Sequence, residues 1–347
     1  MTAHSPRRLV RRRFAAALAA LAATTLAACG DDDGTSSSGM TELVVAEPGH
    51  SLGYLPLYVA IDEGYFEDEG LDVEVVTLQG GGAHTNAVLT GQAWAFIGGP
   101  EHNAFAAARD NSVTIKAISN VVNKGNVYLV AQPGADTSGD LRSVLDGKTI
   151  VTSAAGGTPH SITMYLLDQA GLKNGDDVTV TESADPSAAL AIMQQDKADV
   201  AVVSEPILGQ GVTQGIWDEP FYNVPQELGP YAYSTINVLE ESYTEDPETV
   251  EAFIRAMQKG LTLVRDDKDR AVEIAKGQFP TLDEAVLEET IERALTDELW
   301  EWTGEVTPEA IETGLNIVRA AGILKDEGDP VQFEDIVDMS FREEVGK

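Results

Sequence analysis

The sequence predicts an α/β protein of two lobes, each a mainly parallel sheet flanked by helices, with a helical segment at the C-terminal end. Short runs of β-branched residues alternate with helical segments, and this alternation occurs in two successive series. The chain after Pro247 has helical spacing almost throughout. Because alternating strands and helices build βαβ units, the two series predict two sheets, and the tail predicts helices that cover one of them.

The first series predicts one sheet. Apolar alternation gives its strands, and apolar residues at a spacing of three and four give its helices. The predicted strands are 43–46, 72–76, 93–97 and 114–119, and the helices are 55–63, 83–91 and 102–109. The run 127–131 predicts a strand that leaves this unit, so lobe 1 is expected to begin with residues 42–128.

The second series predicts the other lobe, at residues 129–234. Its predicted strands are 149–151, 178–180 and 200–203, and its helices are 161–169 and 186–195. The run 233–239 predicts a second crossing segment, so residues 235–347 are expected to return to lobe 1 and complete it. Two crossing strands predict a hinge with a cleft between the lobes.

The N-terminus predicts export and a lipid anchor. Five arginines precede an apolar, alanine-rich run that ends in small residues before Cys29. This pattern predicts a signal peptide at 1–28, and the run is too short to span a bilayer as a mature helix. Residues 26–29 (LAAC) resemble the lipobox of bacterial lipoproteins, although a signal peptide could also carry a cysteine by chance. Residues 11–14 (RRRF) leave both the general and the twin-arginine export routes open.

Cys29 is the only cysteine, so an internal disulfide is excluded and lipid attachment is the expected use of its sulfur. Residues 29–41, rich in Gly, Ser and Asp, predict a flexible tether. The expected location is therefore the outer face of the cell membrane, with the lipid as the contact to it.

The charge balance excludes two classes of partner. The chain has a net charge of −34, and the predicted signal peptide carries five arginines and no acid, so the remainder carries −39. So negative a protein is not expected to bind nucleic acid or to dock electrostatically on anionic lipid. A monomer is expected.

Several segments resemble one family of solute-binding proteins. Residues 53–60 (GYLPLYVA), 63–66 (EGYF) and 69–73 (EGLDV) resemble its opening, and the similarity continues through 80–82, 91–93, 147–149, 170–172 and 205–206. The family serves ABC importers and includes nitrate, sulfonate, taurine and thiamine-precursor binders. The resemblance implies a periplasmic-binding fold of the second type, no catalysis, no cofactor, and two kinds of partner: a small-molecule ligand and membrane permease subunits.

The expected binding residues follow the predicted strands, because ligands of open α/β sheets lie beyond the carboxyl ends of strands. Thr158, which precedes Pro159, could be a plain helix N-cap instead of a ligand contact. The candidate ligand-binding residues are Glu47, His50, Gly53, Tyr54, Gly81, Gly82, Glu101, His102, Ser153, Thr158, His160 and Glu205.

The residue types in these segments predict the charge of the ligand. His84 also falls there, so all histidines after the signal peptide lie near the expected cleft, while arginine and lysine are absent from it. A phosphate or dicarboxylate site would normally use arginine or lysine. The sequence therefore predicts a neutral, zwitterionic or amine-bearing solute, either taurine- or sulfonate-like or pyrimidine-like. Glu101 and Glu205 are expected to face each other across the cleft with an amine between them, unless Glu205 only braces its loop.

Two other functions stay open at this point. The cleft histidines with a glutamate could form a metal-binding receptor, since zinc accepts such ligands. An enzyme on the same fold, such as the yeast pyrimidine synthase, is less favoured. The cysteine-rich iron motif of that enzyme has no counterpart here, and no nucleophile has a partnered base at motif spacing.

Overall fold

The structure is a computed structural model that describes residues 39–79, 82–109, 113–183, 185–325 and 330–345. The predicted signal peptide, Cys29, most of the predicted tether and Gly81 lie outside these residues. From residue 39 onward the described chain belongs to one compact unit. None of its described helices is long and apolar enough to cross a membrane.

The strands of the described chain, numbered in chain order, form two five-stranded sheets. The first sheet contains β1 (Thr41–Glu47), β2 (Leu71–Thr77), β3 (Ala95–Gly98), β4 (Ile115–Val122) and β10 (Ser234–Leu239). The second sheet contains β5 (Tyr128–Ala131), β6 (Thr149–Ser153), β7 (Thr179–Ser183), β8 (Val200–Val203) and β9 (Tyr222–Asn223). Strand β1 begins at Thr41, within the range expected for the tether. The α/β class and the two-sheet architecture are confirmed.

Both sheets are mainly parallel, as predicted, and each contains one reversed strand. The strand orders are β2-β1-β3-β10-β4 and β7-β6-β8-β5-β9. Strand β1 is parallel to β2 and β3, and β6 is parallel to β7 and β8. Strand β10 runs antiparallel between β3 and β4, and β5 runs antiparallel between β8 and β9. The reversed strands are the two that carry the chain between the sheets, because each enters its new sheet from the opposite direction.

Helices flank both sheets, and the chain between 240 and 320 is mostly helical. The helices are α1 (Leu55–Asp62), α2 (Ala83–Leu89), α3 (Glu101–Arg109), α4 (Leu141–Leu145), α5 (Thr158–Gln169), α6 (Ala188–Gln194), α7 (Ile207–Thr213), α8 (Val224–Glu227), α9 (Glu240–Glu245), α10 (Pro247–Asp266), α11 (Lys268–Gln278), α12 (Glu284–Thr296), α13 (Pro308–Ala320), α14 (Phe333–Ile336) and α15 (Ser340–Val345). Helix α5 begins three residues before its predicted start. His84, His102 and His160 lie in the first turns of α2, α3 and α5.

Helix α10 shows how the sequence sets this packing. Its apolar residues recur at helical spacing and are buried on one face, while the Asp246 carboxylate caps its N-terminus by accepting from the N–H of Thr249. At Gly260 a Cβ atom would overlap the carbonyl oxygen of Pro56. Glycine therefore lets α10 approach the backbone of α1, which precedes β2 in the first sheet.

The C-terminal helices, which were expected to complete lobe 1, also contact helices of the second lobe. Helix α12 packs on α7, and α13 packs on α5, and both partners follow strands of the second sheet. Just after α12, the carboxylate of Asp297 accepts hydrogen bonds from the Tyr128 hydroxyl (2.8 Å), the Asn223 amide (3.0 Å) and the Gln226 amide (2.8 Å). The two lobes are thus tied by helix contacts as well as by the crossing strands.

Candidate ligand-binding site

A cavity of about 590 Å³ lies between the two sheets. Its walls come from the segments that follow β1, β2 and β3 in the first sheet and β6, β7 and β8 in the second. These are the carboxyl ends of parallel strands, where open α/β sheets bind their ligands. Groups from both lobes therefore surround a single space.

The structure brings some of the predicted binding residues to this cavity and places others outside its wall. The predicted residues that line it are His50, Tyr54, Gly82, His102, Ser153, Thr158 and Glu205. The predicted residues that do not line it are Glu47, Gly53, Glu101 and His160. Ligand contact by the residues that line the cavity stays a prediction. The residues that do not line it have other partners in the protein.

The carboxylate of Glu47 is buried and serves as an anchor for its neighbours. It accepts hydrogen bonds from the Tyr58 hydroxyl (2.5 Å) and the Thr77 hydroxyl (2.7 Å). Its Oε1 also lies 3.1 Å from Nδ1 of His50, whose Nε2 is 3.2 Å from the carbonyl oxygen of Gln278. Burial lowers the pKa of His50, but the hydrogen bond and charge of Glu47 outweigh it and the net shift is upward. Glu47 thus positions the cavity wall without lining it.

Gly53 has a packing role. Its carbonyl oxygen accepts a hydrogen bond from the indole N–H of Trp300 (2.9 Å). A Cβ atom here would lie 2.7 Å from Nδ2 of Asn126, so a side chain would displace that lining residue. Glycine is therefore needed for the close approach of these groups.

His160 belongs to the second lobe and does not line the cavity. Its backbone N–H donates to the Ser153 hydroxyl (3.1 Å), and its Nε2 lies 3.8 Å from Oε1 of Glu182. Burial lowers the pKa of His160, and the nearby Glu182 opposes that shift. Its backbone helps to orient Ser153, which does line the cavity.

Glu101 forms a hydrogen bond that crosses between the lobes. The hydroxyl of Thr158, at the start of α5, donates to its Oε1 at 2.6 Å, and its Oε2 is buried without a hydrogen-bond partner. Burial raises the pKa of this carboxyl to about 7, although the hydrogen bond from Thr158 opposes the shift. A second crossing contact joins the Ser51 hydroxyl to the carbonyl oxygen of Glu205 (3.2 Å). The lobes therefore touch through polar groups at the cavity.

The prediction that Glu101 and Glu205 face each other across a ligand amine is wrong. The Glu205 carboxylate accepts from the N–H of Gly209 (2.9 Å), the hydroxyl of Thr290 (3.2 Å) and Nε of Arg293 (3.1 Å). Burial raises its pKa, and these partners oppose the rise. Groups of the protein therefore compensate the charge of Glu205. This arrangement is close to the alternative that Glu205 braces its own loop. Arg293 was missed because it lies 88 residues further along the chain, in the predicted helical tail.

The histidines do not converge. His84 and His102 are neighbours, with ring centroids 4.7 Å apart, whereas His50 lies beside Glu47 and His160 beside Glu182. Among the residues that the structure describes, no group of three or more His, Cys, Asp or Glu side chains is arranged to hold a metal ion. The metal-receptor hypothesis gains no support from this arrangement.

Some lining residues escaped the sequence analysis. Asn126 and Tyr233 lie beside the crossing strands, Ser234 begins β10, and residues 278–282 lead from the end of α11 into the turn before α12. Pro280 could have indicated the turn between α11 and α12, because proline interrupts a helix. Among the described residues that line the cavity, none is a lysine or an arginine.

The comparisons with known proteins now identify the family. Residues 52–271, more than half of the chain, match the model of the family described as NMT1/THI5 like. The chain belongs to this family. YtlA of Bacillus subtilis (strain 168), which is named as a binding protein, is 25% identical over 255 residues, covering 73% of this chain and 75% of YtlA. The resemblance seen in the sequence is thereby confirmed, and the chain is a solute-binding receptor of the ABC-importer class and not an enzyme.

Solved structures share its fold. The alkanesulfonate-binding protein SsuA of Xanthomonas axonopodis pv. citri superposes with a TM-score of 0.69 at 16% identity, covering 86% of this chain and 98% of SsuA. The periplasmic nitrate-binding protein NrtA of Synechocystis PCC 6803 gives a TM-score of 0.72 at 14% identity, covering 88% of each chain. At such identities the likeness concerns the fold, and it confirms the periplasmic-binding architecture.

Proposed function

We propose that this protein is a monomeric extracytoplasmic receptor that captures a small organic solute between its lobes and delivers it to the permease subunits of an ABC importer. The solute is neutral, zwitterionic or amine-bearing, and is either taurine- or sulfonate-like or pyrimidine-like. The cavity of about 590 Å³ between the sheets carries this proposal, because its volume lies within the range of small-molecule sites.

The charges around the cavity favour the neutral and zwitterionic solutes of this set. The described lining has no lysine or arginine to balance a dianion. Glu205 is already paired with Arg293, so its carboxylate has little attraction left for an amine. The N-terminus of α5, where Thr158 and Pro159 line the cavity, could still hydrogen-bond one acidic oxygen such as that of a sulfonate.

A thermal-shift screen tests the proposed function. Taurine, alkanesulfonates, pyrimidines and small amines would be added one at a time to purified protein, and a true ligand should raise the unfolding midpoint in a concentration-dependent way. At saturation with that ligand, small-angle scattering should give a smaller radius of gyration than for the free protein, because bound solute favours closed lobes. A midpoint that no solute raises, or a radius that stays unchanged at saturation, would contradict capture by closure.

The lipid anchor has its own test. We propose that Cys29 is lipidated after removal of residues 1–28, and that residues 29–40, which precede β1, tether the receptor to the membrane. Cys29→Ser should therefore leave the protein unprocessed or release it from the membrane fraction, as judged by fractionation and by the mass of the mature chain. Wild-type protein from the same cells is the control. A Cys29→Ser protein that still fractionates with membranes in mature form would disprove the anchor.

A further inference from the structure

His84 is a buried polar side chain that the protein itself leaves without a hydrogen bond. It lies in the first turn of α2, lines the cavity and is 3% exposed, and neither of its ring nitrogens has a hydrogen-bond partner. Buried polar atoms in native proteins are nearly always hydrogen-bonded, so each exception needs an explanation. In the wall of a binding cavity, the simplest explanation is a partner on the ligand.

The surrounding rings fix the His84 imidazole in this position. The ring of Phe96 lies edge-on with centroids 5.0 Å apart, and that of His102 does so at 4.7 Å. On another side, a Cβ atom on Gly98 would lie 3.1 Å from Nε2, so glycine leaves room for the imidazole. Packing therefore holds the ring in place, although it supplies no hydrogen bond.

The imidazole of His84 is neutral at neutral pH. Burial lowers its pKa well below 6.5, and the positive charge of a protonated His102 would lower it further. A neutral imidazole has one N–H donor and one nitrogen acceptor. With no lysine or arginine in the described lining, an anionic ligand group at His84 would lose its water without gaining a counter-charge.

We propose that His84 is a specificity-determining residue of the cleft, which hydrogen-bonds an uncharged ligand group of the carboxamide type or the equivalent edge of a heteroaromatic ring. The proposal rests on the proposed function, since it assigns a role within the same cavity. It predicts that His84 discriminates between ligands by their charge and hydrogen bonding. It also predicts that the ring nitrogens of His84 do not stabilise the fold.

The first test needs no ligand. His84→Leu removes two buried, unpaired nitrogens, so it should raise the unfolding midpoint of the free protein by about 2–4 °C. His50→Leu is the matched control and should lower the midpoint, because His50 is hydrogen-bonded to Glu47 and to the backbone at Gln278. A midpoint that falls in His84→Leu as it does in His50→Leu would mean that His84 is structural, and would overturn the proposal.

The second test uses three probes of nearly equal shape: uncharged benzamide, anionic benzoate and cationic benzamidine. At millimolar concentration, benzamide should raise the midpoint of the wild-type protein most. His84→Leu should weaken benzamide binding about tenfold or more, and His84→Gln, which keeps a donor and an acceptor, should restore part of it. A larger effect of either charged probe, no benzamide shift, or unchanged benzamide binding in His84→Leu would each overturn the proposal.

The two proposals fail separately. If the solute screen yields a fully charged ligand whose affinity His84→Leu leaves unchanged, the receptor function stands and the role of His84 is wrong. If no solute and no probe raises the midpoint, both proposals fall.

Discussion

Replacing Arg293 with methionine should lower the free energy of unfolding by about 3–5 kcal/mol, because it leaves a buried carboxylate without its cation. The Glu205 side chain is 4% exposed and that of Arg293 is 18% exposed, and their charged atoms lie 3.1 Å apart. Methionine keeps most of the aliphatic volume of arginine, so the loss of charge dominates the effect. Urea unfolding at pH 7.5, with the slope of the transition compared between proteins, measures it.

Arg255 provides the control for this substitution. It pairs with Glu69 at 2.8 Å, but its side chain is 40% exposed, so Arg255→Met should cost less than about 1 kcal/mol. Adding Glu205→Gln to Arg293→Met should recover part of the stability, because the unpaired charge is then removed. Equal losses for Arg293→Met and Arg255→Met would show that Glu205 does not depend on the arginine.

The residues around Glu205 also line the cavity, so this pair connects stability with binding. Ser204, Pro206 and Ile207 contribute to the wall, and the Glu205 carbonyl oxygen accepts a hydrogen bond from Ser51 of the first lobe. Without the ion pair to Arg293, the loop should hold these groups in less well-defined positions. Ligand affinity in Arg293→Met is therefore expected to fall together with stability.

The sequence was informative where structure depends on nearby residues. Strand β8 has its predicted bounds, because four consecutive apolar residues between turn signals can be recognised locally. Strand order depends on residues far apart in the chain. Strand β10 inserts beside β4 by pairing Leu239 with Ile115, and no local pattern specifies that partner. The position of the reversed strand in each sheet was not predicted for this reason.

In the candidate site, too, some features depend on nearby residues and others on residues far apart in the chain. The segments that line the cavity follow from one general rule about the ends of parallel strands, and several were predicted on that basis. The direction of each side chain was not predictable, because it depends on which distant group is available as a partner. Glu47 turns towards Tyr58, and Glu205 towards Arg293, whereas His84 has no hydrogen-bond partner in the protein. Sequence spacing could not distinguish these three cases.

Glu101→Gln should stabilise the protein at pH 8 and change its stability little at pH 4.5. Burial raises the pKa of this carboxyl from the ordinary 4.5 to about 7, so the folded state prefers the protonated form. The contribution of Glu101 to the stability of the folded protein is complete below about pH 4.5. It is lost as the pH rises towards 7 and stays lost above that value. Since one pKa unit corresponds to about 1.4 kcal/mol, the gain from glutamine at pH 8 should approach about 3 kcal/mol.

Urea unfolding between pH 4.5 and 8 would measure this effect as the difference between variant and wild type, so that titration of the histidines largely cancels. Glu42→Gln, which replaces an exposed carboxylate on β1, is the matched control. In Thr158→Val the carboxylate loses the hydrogen bond that favours its charged form, so the pKa of Glu101 should rise further and the loss of stability should extend to higher pH. Curves for Glu101→Gln and wild type that stay parallel over this range would show that folding does not raise the pKa of Glu101.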